Sequence, residues 1–187
     1  MRTLFIEMNP DVPAIPGLAY RPEFLTRADE KALLNLIDAS PWDTHWQRRI
    51  QPYGDSYGFT ASCPPMPQWG IALAERLHAE GLTPFLCDRM LVNEYLPGQG
   101  IAPHVDYEPY DRTVASISLG SACVMDFEHV DGTAKHVAWL EPRSVLVMDG
   151  EARYRWTHGI AGRKKDAWNG AWFQRGRRIS ITFRRKR

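Results

Sequence analysis

The chain has 187 residues, of which 44% are hydrophobic and 24% charged, the usage of an ordinary soluble globular domain. This excludes disorder as the main state, a collagen-like fibre and a disulfide-stapled mini-protein, and a formal net charge of +1 demands no acidic partner overall. The charge is unevenly placed, however: residues 175–187 hold seven bases and no acid, so that end is either a phosphate-binding strip or a solvated tail. In chain order, the first 25 residues contain Pro10, Pro13, Pro16 and Pro22 and are expected to lie as an extended arm on the core. A helix should start at Thr26, which can cap it with Asp29 in the capping-box position; Ala32, Leu33, Leu36 and Ile37 recur at helical spacing, and Ser40-Pro41 ends it. Residues 42–59 read as a loop or hairpin, and Met66 to Glu80 as a second helix stopped by Gly81.

From Leu86 onward the texture changes to short β-type runs, at 86–95, 101–106, 113–119, 122–128, 135–140, 144–148, 153–160 and 177–185. Pro97-Gly98, Asp131-Gly132, Asp149-Gly150 and Asn169-Gly170 supply turns between them. Strands at this spacing predict a mainly β domain, an antiparallel sandwich or barrel such as a jelly roll, with two supporting helices ahead of it. The expectation is one domain over 1–187, with an N-terminal extension at 1–85 and the core at 86–187. Cys63, Cys87 and Cys123 lie far apart without CxxC spacing, which argues against a disulfide framework and suits a reducing cytoplasm. Neither a signal peptide nor an apolar run of the ~20 residues needed to span a bilayer is visible, so a soluble cytoplasmic monomer is expected.

The chemistry starts at His104-Val105-Asp106. On a strand, residues two apart share a face, so an imidazole and a carboxylate converge there as two metal ligands. Alone the pair is weak evidence, and His129-Val130-Asp131 repeats it; but Gly132 follows that second pair between two β-type runs, which makes it a hairpin turn. A third ligand is available in His158, in another β-type segment. Two histidines and one carboxylate on one face of a metal form the triad that favours Fe(II) and oxygen activation. In the run Arg178 to Arg184, alternation puts Arg178, Ser180, Thr182 and Arg184 on one face and Ile179, Ile181 and Phe183 on the other. Two same-face guanidiniums suit a ligand with two carboxylates, while a solvated basic edge strand is the plainer reading of the same run.

The order Asn93-x-Tyr95, His104-x-Asp106, His158, Arg178-x5-Arg184 resembles the AlkB family of Fe(II)/2-oxoglutarate dioxygenases. The matching stretches are Asn-Glu-Tyr-Leu-Pro-Gly-Gln-Gly-Ile-Ala-Pro-His-Val-Asp, Ser-Ile-Ser-Leu-Gly, Trp-Thr-His-Gly-Ile and Arg-Ile-Ser-Ile-Thr-Phe-Arg. The resemblance implies a double-stranded β-helix core, iron on His104, Asp106 and His158, and 2-oxoglutarate held by Arg178 and Arg184 with help from Asn93 and Tyr95. O2 is then the second cosubstrate, and an alkyl group on a flipped or single-stranded nucleobase the substrate. Candidate base-stacking residues are Trp46, Tyr53 and Tyr57; Arg48, Arg49 and Arg163-Lys164-Lys165 are candidate phosphate contacts. Glu108 stands where several repair enzymes of the family read the damaged base. Other stretches, such as Ser-Leu-Gly-Ser-Ala-Cys-Val-Met-Asp-Phe, look closer to the branch that hydroxylates a modified wobble uridine in tRNA. The readings are thus an oxidative dealkylase of DNA or RNA bases acting in nucleic-acid repair, a tRNA wobble-nucleoside hydroxylase, and a non-enzymatic β-sandwich that binds nucleic acid.

Overall fold

The computed structural model describes residues 12–54 and 63–187. β1 (Leu18–Arg21), α1 (Arg27–Asp38), β2 (Ile50–Tyr53) and α2 (Gln68–Ala79) come first. β3 (Arg89–Tyr95), β4 (Ile101–His104), β5 (Thr113–Gly120), β6 (Cys123–His129), β7 (Lys135–Leu140) and β8 (Val145–Asp149) follow. A short helix, α3 (Gly150–Tyr154), leads into β9 (Trp156–Ile160), the hairpin β10 (Lys165–Trp168) and β11 (Ala171–Gln174), and finally β12 (Arg178–Arg184).

Two antiparallel sheets result, a six-stranded one ordered β1-β8-β5-β12-β3-β2 and a four-stranded one ordered β4-β9-β6-β7. Side-chain alternation decides what each face meets. On β12, Ile179, Ile181 and Phe183 are fully buried in a core built with Leu33 and Ile37 of α1 and Leu73 and Leu77 of α2. Each such burial stabilises the fold by about 2 kcal/mol. The other face of the large sheet looks toward the small one; there Tyr95, Val114, Leu146 and Met148 meet Met125, Phe127, Leu140 and Trp156 in a second core. Arg178, Ser180, Thr182 and Arg184 share that inward face, so the polar side of β12 lines the space between the sheets. The architecture is mainly β, a jelly roll with helices backing the large sheet.

Thr26 caps α1 as expected: its hydroxyl accepts from the Asp29 amide at 3.1 Å and the Asp29 carboxylate accepts from the Thr26 amide at 3.0 Å. Elsewhere the expected elements shift. Within the proline-containing arm, residues 18–21 pair with β8 as an edge strand. Within 42–59, Ile50–Tyr53 pairs with β3. The run at 153–160 starts as helix and becomes a strand only at Trp156, because Gly150, at φ 50°, turns the chain into α3. β4 ends at His104 rather than at residue 106. The β10–β11 hairpin, built on the Asn169-Gly170 turn, has four-residue strands too short to show a period. β12 lies between β3 and β5, which removes the edge-strand reading.

Candidate metal and cosubstrate site

β4 and β9 run antiparallel with His104 opposite His158. Glycine makes their close approach possible: a Cβ on Gly159 would sit 2.9 Å from the Pro103 nitrogen, and one on Gly100 would sit 2.1 Å from the Ile160 carbonyl oxygen. One donor atom from each of His104, Asp106 and His158 falls within 4.8 Å of the others. His158 Nε2 lies 3.8 Å from Asp106 Oδ2, and the two imidazole centroids are 4.4 Å apart. His104 Nδ1 is 2.9 Å from the Ala102 carbonyl oxygen, so Nδ1 carries the donated proton and Nε2 is left as the ligand atom.

Asp106 Oδ2 is buried among these groups without a hydrogen-bond partner. Leaving a buried carboxylate oxygen unsatisfied costs about 1–3 kcal/mol or more, so the donor set fits a divalent cation. The protonation states agree. Burial pushes the Asp106 carboxyl up, but the Arg184 guanidinium, and behind it His158 and Arg153, hold it below the usual carboxylate range. Burial pushes the His158 imidazole down to about 4 against the attraction of Asp106, so it is neutral and ready to coordinate near neutral pH. Asp106 Oδ1 accepts from Arg184 Nε at 2.9 Å. Behind it, Arg153 of α3 is 1% exposed; its Nη1 donates to the Asp106 carbonyl at 2.9 Å and its Nη2 to the Tyr107 carbonyl at 2.7 Å. α3 thereby fixes the backbone that carries the Asp106 carboxylate.

A few residues along β12, Arg178 is 3% exposed. Its Nη2 donates to Ser118 Oγ at 2.8 Å and its guanidinium lies 5.4 Å from the centre of the Tyr95 ring, yet Nε and Nη1 have no partner. A buried guanidinium with two idle N–H groups fits a carboxylate. Asn93 Oδ1 accepts from Arg48 Nε at 3.0 Å, and Arg48 lies 5.7 Å from the Tyr95 ring, so the 42–50 segment reaches the same corner.

Five of the seven bases of 175–187 are bound to acids, and Arg178 is buried, so the run is neither a phosphate strip nor a tail. Arg175 pairs with Asp166, Arg177 with Asp38 and Glu94, Arg184 with Asp106, Arg185 with Asp111 and Arg187 with Glu108. Of the substrate candidates, Trp46 is half exposed beside an open groove of about 820 Å3 that Trp42 and Arg49 also line. Arg49 is bound to the buried Glu94 and stacked on Trp42 at 4.4 Å, which commits its charge internally. Tyr53 is in the helix-side core against Trp69, away from the triad. Glu108 is exposed and 3.4 Å from Arg187, and Tyr57 lies outside the described residues. Arg153, Ser116 and Ser118 were not legible as site residues; the alternation in Ser-Ile-Ser-Leu carries the two serines to the inner face, but no pattern distinguishes Arg153 from Arg155.

Residues 35–184 match the model of the 2OG-Fe(II) oxygenase superfamily. The chain is 34% identical over 176 residues to the uncharacterized protein L905 of Acanthamoeba polyphaga mimivirus, covering 90% of this chain and 84% of that one. It is 38% identical over 169 residues to the tRNA (carboxymethyluridine(34)-5-O)-methyltransferase ALKBH8 of Macaca fascicularis, covering 81% of this chain but 25% of that protein, so it spans about a quarter of that relative. The probable RNA/DNA demethylase ALKBH6 of Danio rerio is 30% identical over 168 residues, with 80% of this chain and 71% of that one covered. The solved structure of OsALKBH1 superposes with a TM-score of 0.72 at 20% identity, over 93% of this chain and 100% of that one, and shares the fold. The chain belongs to the AlkB family of the 2OG-Fe(II) oxygenase superfamily. It is a 2-oxoglutarate-dependent dioxygenase whose cofactor is Fe(II) and whose cosubstrates are 2-oxoglutarate and O2, and the non-enzymatic reading falls.

Proposed function

We propose that this dioxygenase oxidatively removes alkyl groups from nucleobases in DNA or RNA, with His104, Asp106 and His158 holding the iron. The observation that carries the site assignment is the partnerless Asp106 Oδ2 buried between two imidazoles. Arg178, with its idle N–H groups, takes the far carboxylate of 2-oxoglutarate beside Asn93 and Tyr95. Arg184, already on Asp106, stands on the metal side and neutralises the near end of the cosubstrate. When bound, iron supplies the oxidation: 2-oxoglutarate and O2 are consumed to succinate and CO2 and a substrate C–H bond is hydroxylated. An N-methyl group so hydroxylated is lost as formaldehyde, leaving the repaired base.

The nucleic-acid substrate is supported by the names of the relatives, which include a probable RNA/DNA demethylase and a DNA N6-methyl adenine demethylase. A second reading, hydroxylation of a modified wobble uridine in tRNA, is favoured by the higher identity to the ALKBH8 proteins. We further read the chain as one domain acting as a cytoplasmic monomer. The buried thiols of Cys87 and Cys123 suit a reducing compartment, and among the described residues no helix is long and apolar enough to cross a membrane. The deciding experiment is turnover on a panel of methylated oligonucleotides together with mass spectrometry of tRNA from a deletion strain. Formaldehyde and succinate from an oligonucleotide, both lost in His104→Ala, support dealkylation. Loss of a hydroxylated wobble nucleoside in the deletion strain, without formaldehyde release, supports the second reading. Succinate release that no nucleic acid stimulates overturns both.

A further inference from the structure

We propose that the β10–β11 hairpin is an auxiliary docking surface for single-stranded nucleic acid, outside the catalytic pocket. This rests on the nucleic-acid reading above. The hairpin is rigidly mounted. Asp166, 1% exposed, collects the Val124 amide at 3.2 Å, Arg163 Nε at 2.7 Å and Arg175 through Nε at 2.6 Å and Nη2 at 2.8 Å. Trp168 stacks on Trp139 of β7 at 5.9 Å and 14°, and Phe173 meets the same indole at 5.0 Å. The register pairs Asp166 with Phe173 and Trp168 with Ala171, so this face is turned onto the small sheet.

The opposite face carries Lys165, Ala167, Trp172 and Gln174, all exposed. Trp172 is 65% exposed, the most of any large apolar side chain among the described residues. Lys165 Nζ lies 4.4 Å from its ring centre, which leaves the other indole face open. Among the described residues, no acidic side chain pairs with Lys164 or Lys165. Of the five bases in residues 161–177, Arg163 and Arg175 are bound to the buried Asp166 and Arg177 to Asp38 and Glu94, so the outward charge is that of Lys164 and Lys165. A fixed indole with cations beside it is what a base and its phosphate require, because every base offers a π-face and every linkage a negative charge. The placement also fits a strand that continues toward the site. The Gly98 amide donates to the Arg163 carbonyl at 3.2 Å, at one end of a groove of about 410 Å3 that runs along Ile101, Ala102 and Pro103, the strand ending in His104.

The test is fluorescence anisotropy of a short labelled oligouridylate and an oligothymidylate against the full chain, repeated over a salt series. Trp172→Ala should weaken binding about tenfold or more, and the Lys164→Ala, Lys165→Ala double variant should lower the salt slope by roughly one to two. Substrate-independent consumption of 2-oxoglutarate should stay at the wild-type level in both. Unchanged affinity and unchanged KM for a turned-over oligonucleotide in Trp172→Ala overturns the hairpin while leaving the proposed substrate standing. Hairpin-dependent binding of oligonucleotides that are never oxidised does the reverse. A wild-type chain that binds no oligonucleotide, or one that sediments as a dimer which Trp172→Ala dissociates, overturns the inference.

Discussion

Replacing Arg153 with methionine keeps much of the stem in place and removes the fork that donates to two carbonyls behind the proposed iron site. The Asp106 carbonyl, left buried without a donor, costs about 1–3 kcal/mol, whereas the Tyr107 carbonyl keeps the Tyr110 amide at 3.1 Å, and the loss is offset in part because Arg153 Nε itself has no partner. A net loss of about 1–3 kcal/mol follows, which for a chain of 187 residues lowers Tm by roughly 2–10 °C. The more telling effect is on the metal. The freed backbone at Asp106 and Tyr107 no longer fixes the carboxylate, and losing such an outer-shell partner typically costs about 10–100-fold in metal affinity. Thermal melting and anaerobic Fe(II) titration of Arg153→Met and Arg153→Lys measure the two effects separately; the lysine, with one centre for two acceptors, should fall between. An Arg153→Met protein that melts early but binds Fe(II) within twofold of wild type would refute the reasoning, because Arg153 would then be a buttress for α3 and nothing more.

Arg178→Ala should raise the 2-oxoglutarate concentration needed by an order of magnitude or more and leave Fe(II) affinity unchanged, whereas Arg184→Ala should weaken both, since only Arg184 is bonded to Asp106. Matched titrations of the two variants check this, and identical profiles would contradict it. Gly159→Ala brings a methyl within 2.9–3.0 Å of the Pro103 backbone and should displace β4, reducing metal uptake, while Gly176→Ala, whose nearest neighbour would be 3.5 Å away, should bind metal normally. In metal-free protein, burial keeps His158 unprotonated down to about pH 4, while the unfolded chain takes up that proton near 6.5. The unfolded state therefore binds more protons between those values, and stability should fall by up to about 3 kcal/mol as pH drops from about 6.5 to about 4. Denaturant melts of wild type and His158→Gln test it; an equal slope in both would assign the pH dependence elsewhere.

What could be read from residues alone divides along physical lines. His104, Asp106 and His158 converge as their residue types suggest, but β4 ends at His104, so Asp106 arrives from the segment that Arg153 holds and not by strand period. The inner face of β12 was legible because Ile179, Ile181 and Phe183 are apolar without interruption, which forces the alternate positions inward. The fate of the five C-terminal bases that pair was not legible, since their acids, from Asp38 to Asp166, are scattered along the chain and only the fold brings them together. Arg49 looked like a phosphate contact for the same reason: Glu94 shares its strand with Asn93 and Tyr95, and its outward direction became meaningful only once β2 lay beside β3. Arg153 had no signal, because a side chain that donates to backbone carbonyls leaves no complementary residue to find.

The placement of β12 between β3 and β5 sets the order in which the molecule can be built during synthesis. Among the described residues every other strand leaves the ribosome before it, yet until it arrives nothing joins β3 to β5, and the two guanidiniums proposed for the keto-diacid are missing. The nascent chain must therefore hold two unsealed sheet margins apart, as prey to aggregation or to a chaperone, until a single late insertion closes the barrel and completes the cosubstrate pocket together. If Arg178 and Arg184 hold the cosubstrate as proposed, catalytic competence and structural closure are one event.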